Sequence, residues 1–474
     1  MIQFSTLKIT SLDSYNLLRE HIKSSQHIDD YTIRELKDHI GCRCKVIGIE
    51  YPYFESDYLS NYYIFYSKKL QDFPKECYRL LFFADENRTE LMGYITLRPT
   101  YQRTRIGRTY IEPQYLIDDP DARVLTTNFK IHFRASEATL KAFPWMHQEG
   151  DVAVCAHVAA WSVLRYLSTK FRNYQEKLLA NIVDAVRLSA ERKIPSIGLT
   201  VDQISDVFLQ AGLSPIIRKR ESHASEEMDD ELLSYIESGI PFIGVIPSRE
   251  HAIAVIGHGK RIAQGINVEN VFQDSQRVVY SSKFISDIIV NDDRHFPYST
   301  IPKILGEQKT GYTFRAISCA VVPLYQKVHI TYADVRIQFE NLVKANDYDW
   351  PEKMVARIFL SSSNTYREYT HIQKKEAISS DLKSLIIGLE LPKLIWCIEI
   401  SSINSFQEGI VDSIIIIDST SATVNNDPFL FILDGKTIKY KSAGEKLAIE
   451  RLDDSVFSVP YFDSNLWRIS NGEN

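Results

Sequence analysis

Residues 1–125 open on alternating polar and apolar positions (MIQFSTLKIT) and continue through a polar amphipathic stretch from Asp13 to Asp38. An aromatic-rich segment, YPYFESDYLSNYYIFYSKKL, comes next. Two runs of strand composition follow, RLLFFAD (79–85) and LMGYITLRP (91–99), joined by the turn-like ENRTE, so an antiparallel hairpin is expected there. The text QRTRIGRTYIEP reads on as a further strand. Helix and strand patterns together make this first region an α+β domain.

A second region, 126–305, starts with the strand-like NFKIHFRAS and an apolar patch, Phe143, Pro144, Trp145 and Met146. From Ala156 to Leu167 the apolar residues Val158, Ala159, Leu164 and Leu167 recur at helical spacing. Further helices are expected over YQEKLLANIVDAVRLSAE, TVDQISDVFLQAG with its terminal glycine, and EEMDDELLSYIESG. The pattern then switches to strands: PFIGVIPS, HAIAVIGHG and ISDIIVND. Helices first and strands afterwards predict helices packed on an antiparallel sheet. The third region, 306–474, repeats the order, with helices over YADVRIQFENLVKA and DLKSLIIGLE and strands over KLIWCIEISS, DSIIIIDST and PFLFILDG. The fold class is therefore α+β, a central domain flanked by two further α+β domains, the last of them read as a substrate- or partner-binding unit.

Composition narrows the function classes. At 474 residues the chain exceeds one ordinary core, and 44% hydrophobic with 24% charged residues is a globular composition. A net charge of −6 gives no general pull toward nucleic acid or anionic lipid. The longest apolar runs, such as SIIII and FLFIL, fall far short of the roughly 20 residues that span a bilayer. With no basic head and apolar core at its start, the chain is expected to be cytoplasmic. Its six cysteines, 42, 44, 77, 155, 319 and 397, follow no framework spacing and fit free thiols in a reducing compartment. Cys42 and Cys44 form a lone C-x-C with no second pair, read as two thiols of mixed burial. No metal or cofactor is expected.

One of those cysteines stands where a nucleophile belongs. Cys155 opens a helical pattern after the loop-like QEGDV, and a helix N-terminus stabilises thiolate through its dipole and free N–H groups. The cysteine's own N–H can serve an oxyanion there, and the side-chain amide of Gln148, shortly upstream, is the candidate second donor. His251 follows the polar turn SRE and heads an apolar strand, which suits a general base facing that helix end. A third group should orient the ring. IIVNDD offers Asp292, with Asp293 and Asn291 beside it, and Asp274 in FQDSQ is the rival. His157 points elsewhere on the helix and is read as structural or rim, His258 is read as a satisfied polar residue beyond the strand, and His295 is a candidate for lining the cleft. A zinc site of Cys155, His157 and His251 uses the same residues less well.

Residues 148–298 resemble the papain-like cysteine peptidases that process double-glycine leaders of bacteriocins, and their broader relatives. The resemblance rests on a Gln before a helix-opening Cys, on IGLTVDQISDVFLQAGLSPI, on LLSYIESGIPFIGVIPSREHAIAVIGHG, and on an Asp after a later strand. It implies a papain-like central domain with Cys155 as nucleophile, His251 as base, Asp292 as orienter and Gln148 as oxyanion donor. Two features depart from the family: Ala156 stands where members carry glycine, and the stretch KRIAQGINVENVFQDSQRVV separates His251 from Asp292. The hairpin at 79–99 is similar to the middle of acetyltransferase-like folds, whose Gly-rich loop opens a helix on the cofactor pyrophosphate. QRTRIGRTYIEP has one glycine and stays a strand, so the first region is read as structural or substrate-presenting rather than as a CoA site.

The expected activity is hydrolysis of a peptide, isopeptide or related amide bond, with a protein or peptide substrate of narrow choice. Acyl transfer or deamidation would use the same thioester and differ only in what resolves it. A third reading is a non-catalytic adaptor in which the cysteine site is a relic.

Overall fold

A computed structural model describes residues 2–469 except 101–102, 187–193, 195–197, 222–225, 263–264, 274–275, 305–309, 422–426, 435–436, 442–446 and 452–456, and the chain is α+β. Strands β1 (Gln3–Lys8), β2 (Val46–Tyr53), β3 (Cys77–Phe83), β4 (Leu91–Leu97) and β5 (Ile106–Ile111) pair in sequence order as an antiparallel meander. The expected hairpin is β3–β4, with Tyr78 opposite Leu97. Helices α1 (Leu18–His21) and α2 (Asp30–His39) separate β1 from β2, and α3 (Ser56–Ile64) follows β2 within the aromatic segment. Asp29 caps α2 by accepting the Thr32 N–H. Side chains alternate between two cores: Ile47, Leu80, Phe82 and Ile95 pack with Ile33 and Leu36 of α2, while Val46, Leu81, Phe83 and Tyr94 face the other way.

That second face is closed from outside the meander. Strand β6 (Arg123–Val124) leads into a hairpin, β7 (Thr127–Phe133) and β8 (Ser136–Ala142), whose Phe129, Ile131 and Leu140 pack on it. The boundary expected at 125/126 therefore precedes a hairpin that packs with the first unit. Helices α4 (Cys155–Lys170), α5 (Leu179–Ala185) and α6 (Val201–Gln210) come next, then β9 (Ser214–Lys219) and α7 (Glu227–Glu237). Strands β10 (Phe242–Ile246), β11 (His251–His258), β12 (Val278–Tyr280), β13 (Asp287–Asn291), β14 (Ser299–Pro302) and β15 (Cys319–Leu324) follow. The central sheet runs β14-β13-β11-β10-β15-β9, all antiparallel, with β6 beside β11.

Helix α4 packs on β11 and is buried on nearly every side, which its small and apolar residues (Ala156, Val158, Ala159, Ala160, Trp161, Val163) permit. Helix α6 opens on a Thr200/Gln203 capping box and stops before Gly212. Helix α5 covers only part of the helix expected from Tyr174, whose later residues 187–191 lie outside the described residues. A strand, β9, also interrupts the expected helices-then-strands order.

Beyond the central sheet come α8 (Tyr332–Ala345), β16 (Met354–Ser362), α9 (Ser363–Ile372), α10 (Ser380–Gly388), β17 (Leu394–Ser402) and α11 (Ile403–Glu408). Short β18 (Ile410–Val411) precedes β19 (Ser413–Asp418), β20 (Phe429–Leu433), β21 (Thr437–Lys441) and β22 (Leu447–Arg451). The chain ends with β23 (Val459–Pro460), paired to β18, and β24 (Trp467–Arg468). The third sheet runs β12-β16-β17-β19-β20-β21-β22, antiparallel except for parallel β12–β16. Its SIIII run is apolar throughout because both faces are covered. Ile415 and Ile417 enter the core shared with the central sheet, and Ile414 and Ile416 pack with Leu382 and Ile386 of α10.

The boundary expected at 305/306 does not divide the sheets. Strand β15 lies between β10 and β9 in the central sheet, β12 leaves that region to join the third sheet, and β24 returns to pair with β6. Helix α7 fills the space between the two sheets: Ser234 Oγ donates to the Ile358 carbonyl at 2.7 Å, and Leu360 N–H donates to Ser238 Oγ at 2.7 Å. Among the described residues no helix is long and apolar enough to cross a membrane.

Candidate active site

Cys155 is the first residue of α4 and is 9% exposed, so the thiol sits just below the surface. Val154 precedes it with an extended backbone and offers no capping side chain, and the first turn carries no acidic residue. The α4 N-terminus thus has no side-chain cap, and no acidic residue of its own first turn offsets the positive end of the helix dipole.

His251 is placed against this helix by the pairing of β11 with β10 and β13. Its Nε2 meets Asp292 Oδ1 at 2.8 Å, with both side chains buried. Nδ1 is buried without a formed hydrogen bond, and the Cys155 thiol interacts with the ring. With Nε2 occupied, Nδ1 is the nitrogen left for the thiol, and loose geometry is usual in a resting site. Burial disfavours the charged ring, but the bonds to Asp292 and Cys155 and the charges of Asp292 and Asp293 outweigh it and push its pKa up to about 10.

Asp292 is itself held in place. Its Oδ1 also accepts the Arg294 N–H at 2.9 Å, Tyr312 Oη donates to Oδ2 at 2.7 Å, and Trp145 Nε1 donates to its backbone carbonyl at 2.9 Å. Burial would raise this carboxyl, yet the His251 bond and charge, with those donors, hold it down at about 2. Of the three alternatives named with it, Asn291 and Asp293 are among the described residues. Asn291 turns away, donating from Nδ2 to the Pro144 carbonyl at 3.1 Å and accepting the Tyr298 N–H at 2.9 Å. Asp293 lies 3.8 Å from His251 Nε2, but both its oxygens are buried without a hydrogen bond and burial pushes its carboxyl up to about 7. Asp274 lies outside the described residues.

Gln148 is half-buried in the extended segment that leads to Cys155. That segment is stitched to β5: Thr109 and Trp145 exchange backbone bonds at 2.9 and 3.2 Å, and His147 N–H donates to the Ile106 carbonyl at 3.0 Å. The Glu149 N–H then donates to the Ala153 carbonyl at 3.0 Å, closing a short loop in which Gly150 takes φ +77°, a region that glycine enters without strain.

The other histidines take different positions. His157 is buried in α4, where burial lowers its ring to about 4. His258 is the last residue of β11 rather than beyond it, and is satisfied by the Gly259 carbonyl at 2.8 Å and Glu237 Oε1 at 3.1 Å. His295 is half-buried at the rim, with Nε2 3.9 Å from Asp292 Oδ2. Among the described residues, His251, Asp292 and Asp293 also form a group able to ligate a metal, with ligand atoms within 4.8 Å of one another. The 2.8 Å ring–carboxylate contact accounts for two of the three without an ion. Cys42 is exposed and Cys44 buried, with its thiol donating to the Val46 carbonyl at 3.2 Å, which is the mixed burial expected of that pair.

Tyr312 and Trp145 are residues that sequence reasoning did not assign to the site. Of the two, Trp145, in the apolar patch shortly before Gln148, carried a local signal. No known protein family, curated protein or solved structure matches the chain.

Proposed function

We propose that the chain is a papain-like cysteine hydrolase that cleaves a peptide, isopeptide or related amide bond. The observation that carries the reading is the line from a helix-opening thiol, Cys155, through a buried imidazole, His251, to a buried carboxylate, Asp292, at 2.8 Å. In this reading the thiol proton already rests on His251, whose ring is held charged at neutral pH, and the Cys155 sulfur attacks the amide carbon as the carbonyl electrons move onto oxygen. The oxyanion sits between the α4 N–H groups and the Gln148 amide. The tetrahedral species collapses to a thioester as the imidazolium returns the proton to the departing amine. Water, activated by the neutral ring, then releases the acid. Asp292 fixes the ring and stabilises its charge.

The test is alkylation of the native protein by iodoacetamide, followed cysteine by cysteine through peptide mass spectrometry. Cys155 is expected to react faster than Cys42, the exposed competitor, although it is itself largely buried. His251→Ala should slow Cys155 by about 10²-fold, the low end of general-base contributions, and leave Cys42 unchanged. A Cys155 that reacts no faster than Cys42, or is indifferent to His251, would sink the proposal. Once the substrate is in hand, product masses with and without saturating amine separate hydrolysis from acyl transfer.

A further inference from the structure

The segment carrying Gln148 is gripped by a residue of the first unit. Arg98, just past β4, has a fully buried side chain. Its Nη1 donates to Glu149 Oε1 at 2.8 Å, and its Nη2 donates to the carbonyls of His147 at 2.9 Å and Thr104 at 2.7 Å. One guanidinium thus holds the residue before Gln148 by its backbone and the residue after it by its side chain. The fork geometry of arginine allows this, and a lysine ammonium cannot reproduce it. Gly107 on β5 makes room for it: a Cβ there would lie 2.9 Å from Arg98 Cδ and 2.5 Å from Thr96 Oγ1. The single glycine of QRTRIGRTYIEP thus serves close packing beneath this clamp.

The aromatic segment of the same unit reinforces it. Tyr66 Oη donates to the other oxygen of Glu149 at 3.4 Å, and Val152, in the loop before Cys155, packs with Tyr58, Tyr66 and Phe73. Asp57 in α3 reaches α4 itself, accepting from Trp161 Nε1 at 3.1 Å and from the Leu179 N–H at 3.0 Å. The first unit therefore holds both the loop and the helix between which an oxyanion would form.

We propose that Arg98, through Glu149 and the His147 carbonyl, is a positioning residue that sets Gln148 for oxyanion stabilisation, which makes the first unit a working part of the site. This rests on the cysteine-hydrolase reading above. The clamp touches no reacting atom. It acts only where a carbonyl oxygen gains charge, so it should affect acylation of Cys155 and spare alkylation, in which sulfur displaces iodide from a saturated carbon and no oxyanion forms.

Acylation can be read with p-nitrophenyl acetate. Sulfur bonds to the acetyl carbon, the carbonyl pair moves to oxygen and back, and p-nitrophenolate leaves with the electrons of the broken C–O bond. The thiol proton stays on His251. For Arg98→Lys, which keeps the charge opposite Glu149, the acylation rate of Cys155 should fall about 10- to 100-fold while iodoacetamide alkylation stays within about twofold, the scale on which a misplaced group costs rate. Gln148→Ala should give the same split. The double variant should be no slower than Gln148→Ala alone, because Arg98 acts through Gln148. Glu149→Gln, a milder change, should show a smaller split in the same direction. Equal loss of both rates in Arg98→Lys and Glu149→Gln, or losses that multiply in the double variant, would overturn the inference. So would a Cys155 that alkylates selectively yet acylates at the same rate with or without Gln148. Failure of the hydrolase reading looks different, since the wild-type Cys155 would then show no advantage over Cys42 with either reagent, and the clamp would fall with it.

Discussion

Replacing Asp292 by Asn removes one charge from the pair that holds His251 and leaves the shape of the site nearly unchanged. The ring is displaced from 6.5 to about 10 and the carboxyl from 3.8 to about 2, equivalent to about 5 and about 2.5 kcal/mol at 1.36 kcal/mol per pKa unit. The two differ because the ring also gains from Cys155 and Asp293, so the smaller figure is the better measure of the pair. Asp292→Asn should therefore lower the ring pKa by about two, to near 8. The sign with pH follows from linkage. The raised ring contributes stability in full below 6.5 and loses it as pH climbs through about 10, and the depressed carboxyl contributes above 3.8 and loses it as pH falls through about 2. The cost of the substitution should be largest between about pH 4 and 6.5, at about 2.5 kcal/mol, and shrink toward pH 10. Urea unfolding at pH 5.5 and 9.5 reads the stability. NMR of ¹³C-labelled histidine, with the His251 signal identified by its absence in His251→Gln, reads the ring. A wild-type His251 titrating at or below 6.5, or one unmoved by Asp292→Asn, would refute the ion-pair description of the site.

Two further outcomes test the surroundings. Asp293 is a buried carboxyl whose oxygens accept no hydrogen bond, held up at about 7 by burial despite the charge of His251 3.8 Å away, so its contribution to stability should fall as pH rises from 3.8 to 7 and stay low above it. Asp293→Asn should leave urea unfolding unchanged near pH 4 and raise stability at pH 8 by up to about 4 kcal/mol; identical pH dependence in the two proteins would show that the carboxyl is solvated or paired. Glu237 bridges the units, accepting from His258 Nε2, Arg261 and Arg357, and the two guanidinium charges, with the His258 bond, hold its carboxyl well below the usual range despite its burial. Glu237→Gln leaves Arg261 and Arg357 undercompensated in the interior and should cost about 3–5 kcal/mol by urea unfolding at pH 7, and a loss under 1 kcal/mol would mean that Asp463 and Glu399 suffice.

How much of this was legible in the sequence depended on the range of the interaction. Element type and approximate bounds followed from local pattern: the β3–β4 hairpin, α6 with its capping box and glycine stop, α7, β10, β11 and the isoleucine strand β19 all lie where periodicity placed them. The thiol at a helix start and the histidine at a strand mouth are also local facts. What the pattern could not carry was pairing between distant segments. Nothing in CAVVPL says that it enters the middle of the central sheet between β10 and β9, nor that the last strand returns to β6. The same limit applied at the site. The choice among Asn291, Asp292 and Asp293 turns on which neighbours in an extended chain face His251, and one residue of register decides it. Arg98 and Tyr312 could not be assigned at all, since their partners at the site lie 49 to 51 and 20 residues away along the chain, beyond any local pattern.

The stretch between His251 and Asp292 joins these two levels. As sequence it looks like an insertion that weakens the case for Asp292. In the fold, its β12 runs parallel to β16 with Val278 opposite Met354, and the chain then returns through β13, antiparallel to β11, with Asn291 opposite Ala254. The excursion therefore ends in register with the strand that carries His251, and Asp292 emerges beside the ring. Since β12 is an edge of the third sheet, the path to Asp292 is anchored by the C-terminal unit as the path to Gln148 is anchored by the first. If the site is catalytic, both flanks position it from opposite sides. Loosening β12, for instance by Val279→Pro within the pairing, should then disturb Asp292 and the ring pKa of His251 while leaving Gln148 and its clamp in place.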